Sequence, residues 1–272
     1  PKPRVFYEFQ VAKICEDEIW NERILETIEK LNEISIFKAK EIETVPDIVT
    51  INHLEPYLKN LYEFPVGISN KNITPSLLDL KKNLFTIILG NNIEEFKKFI
   101  INLVQELKLL SNVKIEILDT EKIIDNKEMD VRGKYISIFN ELNEKDEKEE
   151  EIQDTVIVII GLHKFVEKIE ADEVFMASLK NADRLKKCNY ILIDALSQFN
   201  NHTYSEWFKE YGGNGDGIWL GNGVNEQYIL KPISTSYKLV NVCGNSYGYI
   251  FSKGKPSLIK LLGMKESSEE NE

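Results

Sequence analysis

Gly90, Asn91, Asn92, Glu94, Glu95, Phe96 and Lys97 stand between an apolar run and a helical pattern, where a phosphate-binding loop does its chemistry. Such a loop needs N–H groups aimed at phosphate oxygens, a lysine for the phosphate charge and a hydroxyl for magnesium. With Gly90 as the first glycine of GxxxxGK[ST], Glu95 takes the second glycine, Phe96 the lysine and Lys97 the Ser/Thr. Both the phosphate-binding cation and the magnesium-binding hydroxyl are therefore missing. Glu94 and Glu95 also add negative charge where phosphate would sit, and like charges ~4 Å apart repel by roughly 1 kcal/mol in water and about 4 at a partly shielded surface. The stretch has the outline of a phosphate loop without its chemistry.

A nucleotide hydrolase of this build would also carry an acid at the end of a second buried strand, to order magnesium and water. The equivalent position here is Gly161, followed by Leu162 and His163. Glycine and leucine hold no metal, and a neutral imidazole is a poor magnesium partner. His163 reads as a structural residue or a general base, the former favoured. Asp194 ends a third apolar strand and is the one acid placed near the crevice, either as a functional carboxylate or as a cap on the following turn. The two losses, read as lying on adjacent strands, argue against ATP hydrolysis by this chain.

Tyr204, Trp207, Phe208 and Tyr211 recur at helical spacing, with Trp219 further on. They read either as a helix face packed on the sheet or as a partly exposed groove for a partner helix. The spacing does not choose between these. Cys15, Cys188 and Cys243 are far apart and form no CxxC pair, so they read as free thiols. His53, His163 and His202 are too scattered to ligate a metal, and none is expected.

The elements that must hold these residues follow from periodicity. Leu84–Leu89, largely β-branched, and Val156–Ile160 are short apolar runs, which marks strands buried on both faces, and Asn189–Asp194 reads as a third interior strand. Helical patterns lie between them, with Phe96, Phe99, Ile100 and Leu103 after the first and Val174, Phe175, Leu179 and Leu185 after the second. Val113–Leu118 alternates apolar and charged residues, as a strand near the sheet margin does. This alternation of strands and helices indicates an α/β fold with a parallel sheet covered on both faces and right-handed crossovers. Glu141–Glu151 is a charge run suited to a solvated helix end or loop.

Toward the N-terminus, Val5–Ile14 is β-rich, Glu16–Glu18 suits a helix start, and Ile19, Ile24, Ile28 and Leu31 mark one helical face through Ile34. Pro46 and Pro56 break Ile36–Leu61 into short pieces, and Phe64–Ile68 is an extended entry to the core. Toward the C-terminus, Gly212–Gly217 and Gly221–Gly223 are turn clusters around the short strand Ile218–Leu220. Further short strands are expected at Tyr228–Leu230, Tyr247–Ser252 and Ser257–Leu262, with a turn at Gly254–Pro256. The tail Glu266–Glu272 is acidic and suited to disorder. The expected division is a lead-in over 1–74 packed on the core, a core over 75–263, and an acidic tail over 264–272.

The 272 residues carry 42% hydrophobic and 29% charged residues and a formal charge of −11. That charge opposes non-specific binding to nucleic acid or anionic lipid. Arginine is limited to Arg4, Arg23, Arg132 and Arg184, which leaves few bidentate phosphate clamps. No apolar run approaches the ~20 residues that span a bilayer, and no signal peptide is read. Pro1 in place of Met reads as a processed start or a piece of a longer chain.

Pro75–Leu80 leading into Phe85–Gly90, and then Asp154–Ile160, resemble FtsK/SpoIIIE-type ATPase modules. The string Gly217-Ile218-Trp219-Leu220-Gly221-Asn222-Gly223, with Glu226-Gln227-Tyr228, continues the likeness. Together with Tyr247-Gly248-Tyr249, Gly254-Lys255-Pro256 and Lys260-Leu261-Leu262, it is similar to the last ATPase-like module of the EssC (YukB) coupling-protein family of Gram-positive type VII secretion systems. The resemblance spans nearly the whole chain. It implies a three-layer RecA/P-loop-NTPase-like α/β domain with a largely parallel central sheet and a degenerate nucleotide site. It also implies a cytosolic piece of a membrane-anchored, multi-module ATPase that exports small helical effector proteins.

On this resemblance, ATP and magnesium are expected only in other modules of the parent, and no cofactor is bound tightly here. The expected partners are exported helical proteins and the other ATPase modules, with the parent forming a higher oligomer and touching the membrane only through its anchor. The reading is a non-hydrolysing module for substrate recognition or regulation of export, with Tyr204, Trp207, Phe208 and Tyr211 as the partner surface. The alternatives are an ATP-binding translocase module with weak or conditional activity, and a structural cap that helps the longer chain oligomerise.

Overall fold

The computed structural model describes residues 20–34, 44–169, 172–212, 216–233, 239 and 243–265. The opening strand at Val5–Ile14, the helix start at Glu16–Glu18 and the acidic tail Glu266–Glu272 lie outside them. The chain divides into two units, Pro1–Glu43 and Thr44–Glu272. The first is described by α1 (Trp20–Ile34), the helix that its apolar period predicts. In the second, residues before 75 contribute α2 (Ile51–Leu54), a 3-10 turn at Glu55–Tyr57 and strand β1 (Phe64–Ser69). Pro56 sits in the first turn of that 3-10 piece, where its missing N–H costs nothing.

The chain continues through β2 (Pro75–Leu78), β3 (Phe85–Gly90), α3 (Lys97–Leu107), β4 (Val113–Asp119) and α4 (Val131–Glu147). Next come β5 (Asp154–Ile160), α5 (Leu162–Ile169), α6 (Asp172–Leu185) and β6 (Cys188–Ala195). Short helices α7 (Leu196–Phe199) and α8 (Glu206–Tyr211) precede β7 (Gly217–Leu220), β8 (Tyr247–Ser252) and β9 (Lys255–Leu261).

The strands form one sheet in the order β2-β1-β9-β8-β7-β3-β6-β5-β4. From β4 to β7 all pairs are parallel, and β8, β9, β1 and β2 continue the sheet antiparallel. The parallel centre is where the apolar runs placed it, and β4 lies at the margin as its alternation predicts. One expectation is corrected: β3 and β5 are not adjacent, because β6 lies between them. Asp194 is thereby brought opposite Leu89, next to the loop strand.

The period-2 alternation of side chains divides the core in two. On one face Ile88, Val158, Ile160, Ile191, Ile193 and Leu220 pack with α3 residues such as Phe99, Ile100 and Leu103. On the other, Ile87, Leu89, Ile157, Ile159, Leu192 and Trp219 pack with Tyr135, Phe165, Phe175 and Leu179 from α4, α5 and α6. Helices thus cover both faces, which gives the three layers. The charge run at Glu141–Glu151 is in part the solvated end of α4.

Two local readings change. Tyr228–Leu230 is a bend rather than a strand. The buried side chain of Gln227 explains this, since its Nε2 donates to the Leu230 carbonyl and its Oε1 accepts the Leu230 N–H, both at 2.8 Å. A side chain supplies the hydrogen bonds that a neighbouring strand would otherwise give. The hairpin turn before β9 is Lys253–Gly254, not Gly254–Pro256. Both residues have positive φ, the two-residue form that matches strand twist, and the Lys253 N–H is held by Asp216 at 2.7 Å.

Candidate functional site

The C-terminal ends of the parallel strands form the crevice in which an open α/β sheet binds ligands. After β3, Asn91 and Asn92 are exposed, and Ile93–Phe96 is a 3-10 turn before α3 begins at Lys97. The helix therefore starts after the two glutamates rather than on them. Asn92 caps the turn: its Oδ1 accepts the Glu94 N–H at 3.1 Å, and its Nδ2 donates to Glu95 Oε1 at 3.1 Å. An amide that would face phosphate is already engaged by the protein's own side chain.

Glu94 and Glu95 point to solvent, whereas Ile93 and Phe96 are buried. The Phe96 ring belongs to the α3-side core and lies against Gly221, where an added Cβ would come within 2.7 Å of its Cζ. Gly221 has φ +74, so a side chain there is excluded by backbone as well as by the ring. The position that must offer a cation to phosphate holds a core aromatic, and Lys97 in the hydroxyl position is half-buried.

At the end of β5, Gly161 adopts φ +77, and the Thr120 hydroxyl donates to the carbonyls of Ile160 and Gly161 at 2.8 Å. A Cβ on Gly161 would run into Thr120 Oγ1 and come within 2.7 Å of Glu121 Oε1. The space that an acidic side chain of the strand end would need is therefore filled from the loop after β4. Glu121 itself is paired with Lys164 of α5 at 2.6 Å. That pairing is the main cause holding the Lys164 ammonium above its usual range, with Asp194 and Glu94 contributing further negative charge. Sequence reading passed over Glu121. Its place is set by the parallel register of β4 on β5, which no local pattern encodes.

Asp194 is buried at the β6 end, and its oxygens accept the N–H groups of His163 and Ala195, each at 2.7 Å. Burial pushes its carboxyl up, and those two amides act in the opposite direction. It caps the first turn of α5 and the chain's exit from β6, the structural alternative the sequence left open. The His163 ring is engaged on both nitrogens, with His202 Nε2 3.2 Å from Nδ1 and Glu167 Oε1 3.4 Å from Nε2. Among the described residues, no group of three or more His, Cys, Asp or Glu is placed to hold a metal ion. Cys188 and Cys243 are free thiols. The residues present do not fit magnesium-bound nucleotide: its cation partner, hydroxyl and acid are replaced by a core ring, a lysine and a filled strand end.

The four aromatics are not brought together as one surface. Trp207 is 1% exposed and packs edge-on against Phe85 and Phe175, with ring centroids at 5.7 and 5.3 Å. Tyr211 is half-buried beside Phe85, and Phe208 is half-buried against Phe199. Only Tyr204 is freely exposed, at 81%. It borders a pocket of about 190 Å³ with Phe208, Tyr228, Ile229 and Lys231. Tyr228 and Ile229 come from the bend that Gln227 holds.

No protein-family model and no curated protein matches the chain. Solved structures do. The cytoplasmic domain of EssC superposes with a TM-score of 0.61 at 14% identity, over 97% of this chain and 58% of that one. EssC ATPases 2 and 3 from Geobacillus thermodenitrificans give 0.67 at 15% identity, over 91% of this chain and 51% of that one. The chain has the fold of these ATPase modules. Thermomonospora curvata EccC, ATPases 2 and 3 in complex with a signal sequence peptide, gives 0.58 at 12% identity, over 92% and 50%. This chain thus spans about half the length of the solved chains it matches.

Proposed function

We propose that this chain is the C-terminal cytosolic module of a type VII secretion ATPase. On this reading it lacks hydrolytic activity of its own and serves recognition of exported proteins or regulation of their export. The observation that carries the reading is the burial of Phe96 against Gly221 in a module of ATPase fold. A phosphate loop cannot work when the residue in the lysine position is part of the core. ATP and magnesium then belong to other modules of the parent chain, in keeping with the half-length match to EssC and EccC. On the same reading the parent's anchor supplies the membrane attachment; among the described residues no helix is long and apolar enough to cross a bilayer. The net charge of −11 disfavours nucleic acid as partner.

On this reading partner recognition would fall to the pocket beside Tyr204, and EccC bound to a signal sequence peptide supports a peptide or helix as its occupant. Tyr204 and Tyr228 are exposed residues lining that pocket, whereas Trp207 is buried in the core and does not line it. Tyr204→Ser together with Tyr228→Ser is expected to leave the thermal melt unchanged. The same pair should weaken binding of a synthetic signal-segment peptide from an exported helical protein by about 2 kcal/mol, roughly thirtyfold. Unchanged affinity in this double variant removes the pocket from the reading.

A further inference from the structure

Glu106 lies on the apolar stripe of α3 with Phe99, Ile100, Leu103, Val104 and Leu107, and none of its surface reaches solvent. Neither carboxyl oxygen has a hydrogen-bond partner among the described residues. A buried carboxylate without a partner is among the costliest arrangements in a core, so the carboxyl stays protonated there. Burial alone pushes it up, to about 8. Among the described residues, no charged group offsets this burial. The helix bearing it continues directly from the turn Ile93–Phe96.

We propose that Glu106 makes the seating of α3 on the sheet proton-linked: the neutral carboxyl keeps the helix docked, and its ionisation loosens the helix. The sign follows from linkage. An acid that holds its proton more tightly in the folded state than in the unfolded one gives its full stability below the unfolded value. That stability is lost progressively as pH rises from about 4.5 toward about 8. Beyond that range the folded carboxyl has ionised and no further loss is expected from it.

Denaturant unfolding of the wild type, Glu106→Gln and Glu106→Leu across this range tests the proposal. The folded-to-unfolded ratio of either variant, relative to wild type, should rise by about tenfold per pH unit through the window and level off above it. Glu106→Gln carries the test if the leucine does not pack. Hydrogen exchange adds a local readout. After correction for intrinsic rates, wild-type protection of Phe99–Leu107 should fall with pH ahead of Val156–Ile160, and in Glu106→Gln it should not. A variant-to-wild-type ratio that is the same at both ends of the window overturns the proposal. So does loss of protection in α3 and β5 in step.

Discussion

Ile159→Asp is expected to unfold the protein. Ile159 has no exposed surface and lies in β5 between Leu118 of β4 and Leu192 of β6, with its side chain in the cluster under α4, α5 and α6. A carboxylate there has no basic partner and no route to water. An unpaired buried charge costs several kcal/mol, comparable to the whole stability of a domain of ordinary size. Ile159→Val is the control, expected to lose about 1 kcal/mol and to remain cooperative. Circular dichroism melts would decide the matter. A soluble Ile159→Asp variant with a cooperative transition would mean that β5 is not a strand buried on both faces.

Trp207→Ala is expected to lose about 3–5 kcal/mol, the range for truncating a buried aromatic. The indole packs against Phe85 of β3 and Phe175 of α6, so its removal opens a cavity between sheet and helix layer. Its Nε1–H meets no acceptor among the described residues. Trp207→Phe should therefore cost much less, because the smaller ring removes an unpaired donor along with some volume. Both variants are followed by thermal melt. A Trp207→Ala protein that melts like wild type would put the indole at the surface, contrary to its burial.

The legible part of this fold was the parallel centre. Ile87, Val158 and Ile191 sit in β-branched runs that are unmistakable as buried strands, because both faces of a central parallel strand are covered. The order of those strands was not legible: nothing in the composition of β6 says that it inserts between β3 and β5. The pairing of β1 with β9 brings Gly67 beside Leu261, a contact across most of the chain that no local pattern encodes.

The same limit governs the site. Missing loop residues could be read directly from Phe96 and Lys97, since the motif is local. Filling of the strand end by Glu121 could not, because it depends on parallel register setting Asp119 opposite Ile160. For Tyr204–Tyr211, helical spacing gave a face but not its direction. Burial separates Trp207, which faces the sheet, from Tyr204, which does not. Gln227 shows how one buried amide can turn a strand-like sequence into a bend.

Calorimetric titration of the chain with ATP and magnesium tests the central claim most directly. It should be run beside the variant Glu95→Gly, Phe96→Lys, Lys97→Thr, which rebuilds the loop motif. With Phe96 in the core, Asn92 on the Glu94 amide and the β5 end filled by Thr120 and Glu121, wild type should give no saturable heat and no phosphate release above background. The rebuilt loop should bind nucleotide weakly at most and should not turn it over, since Gly161 still offers no acid to order magnesium. Saturable, magnesium-dependent binding by the wild type, lost when Gly90 is substituted, would contradict the account.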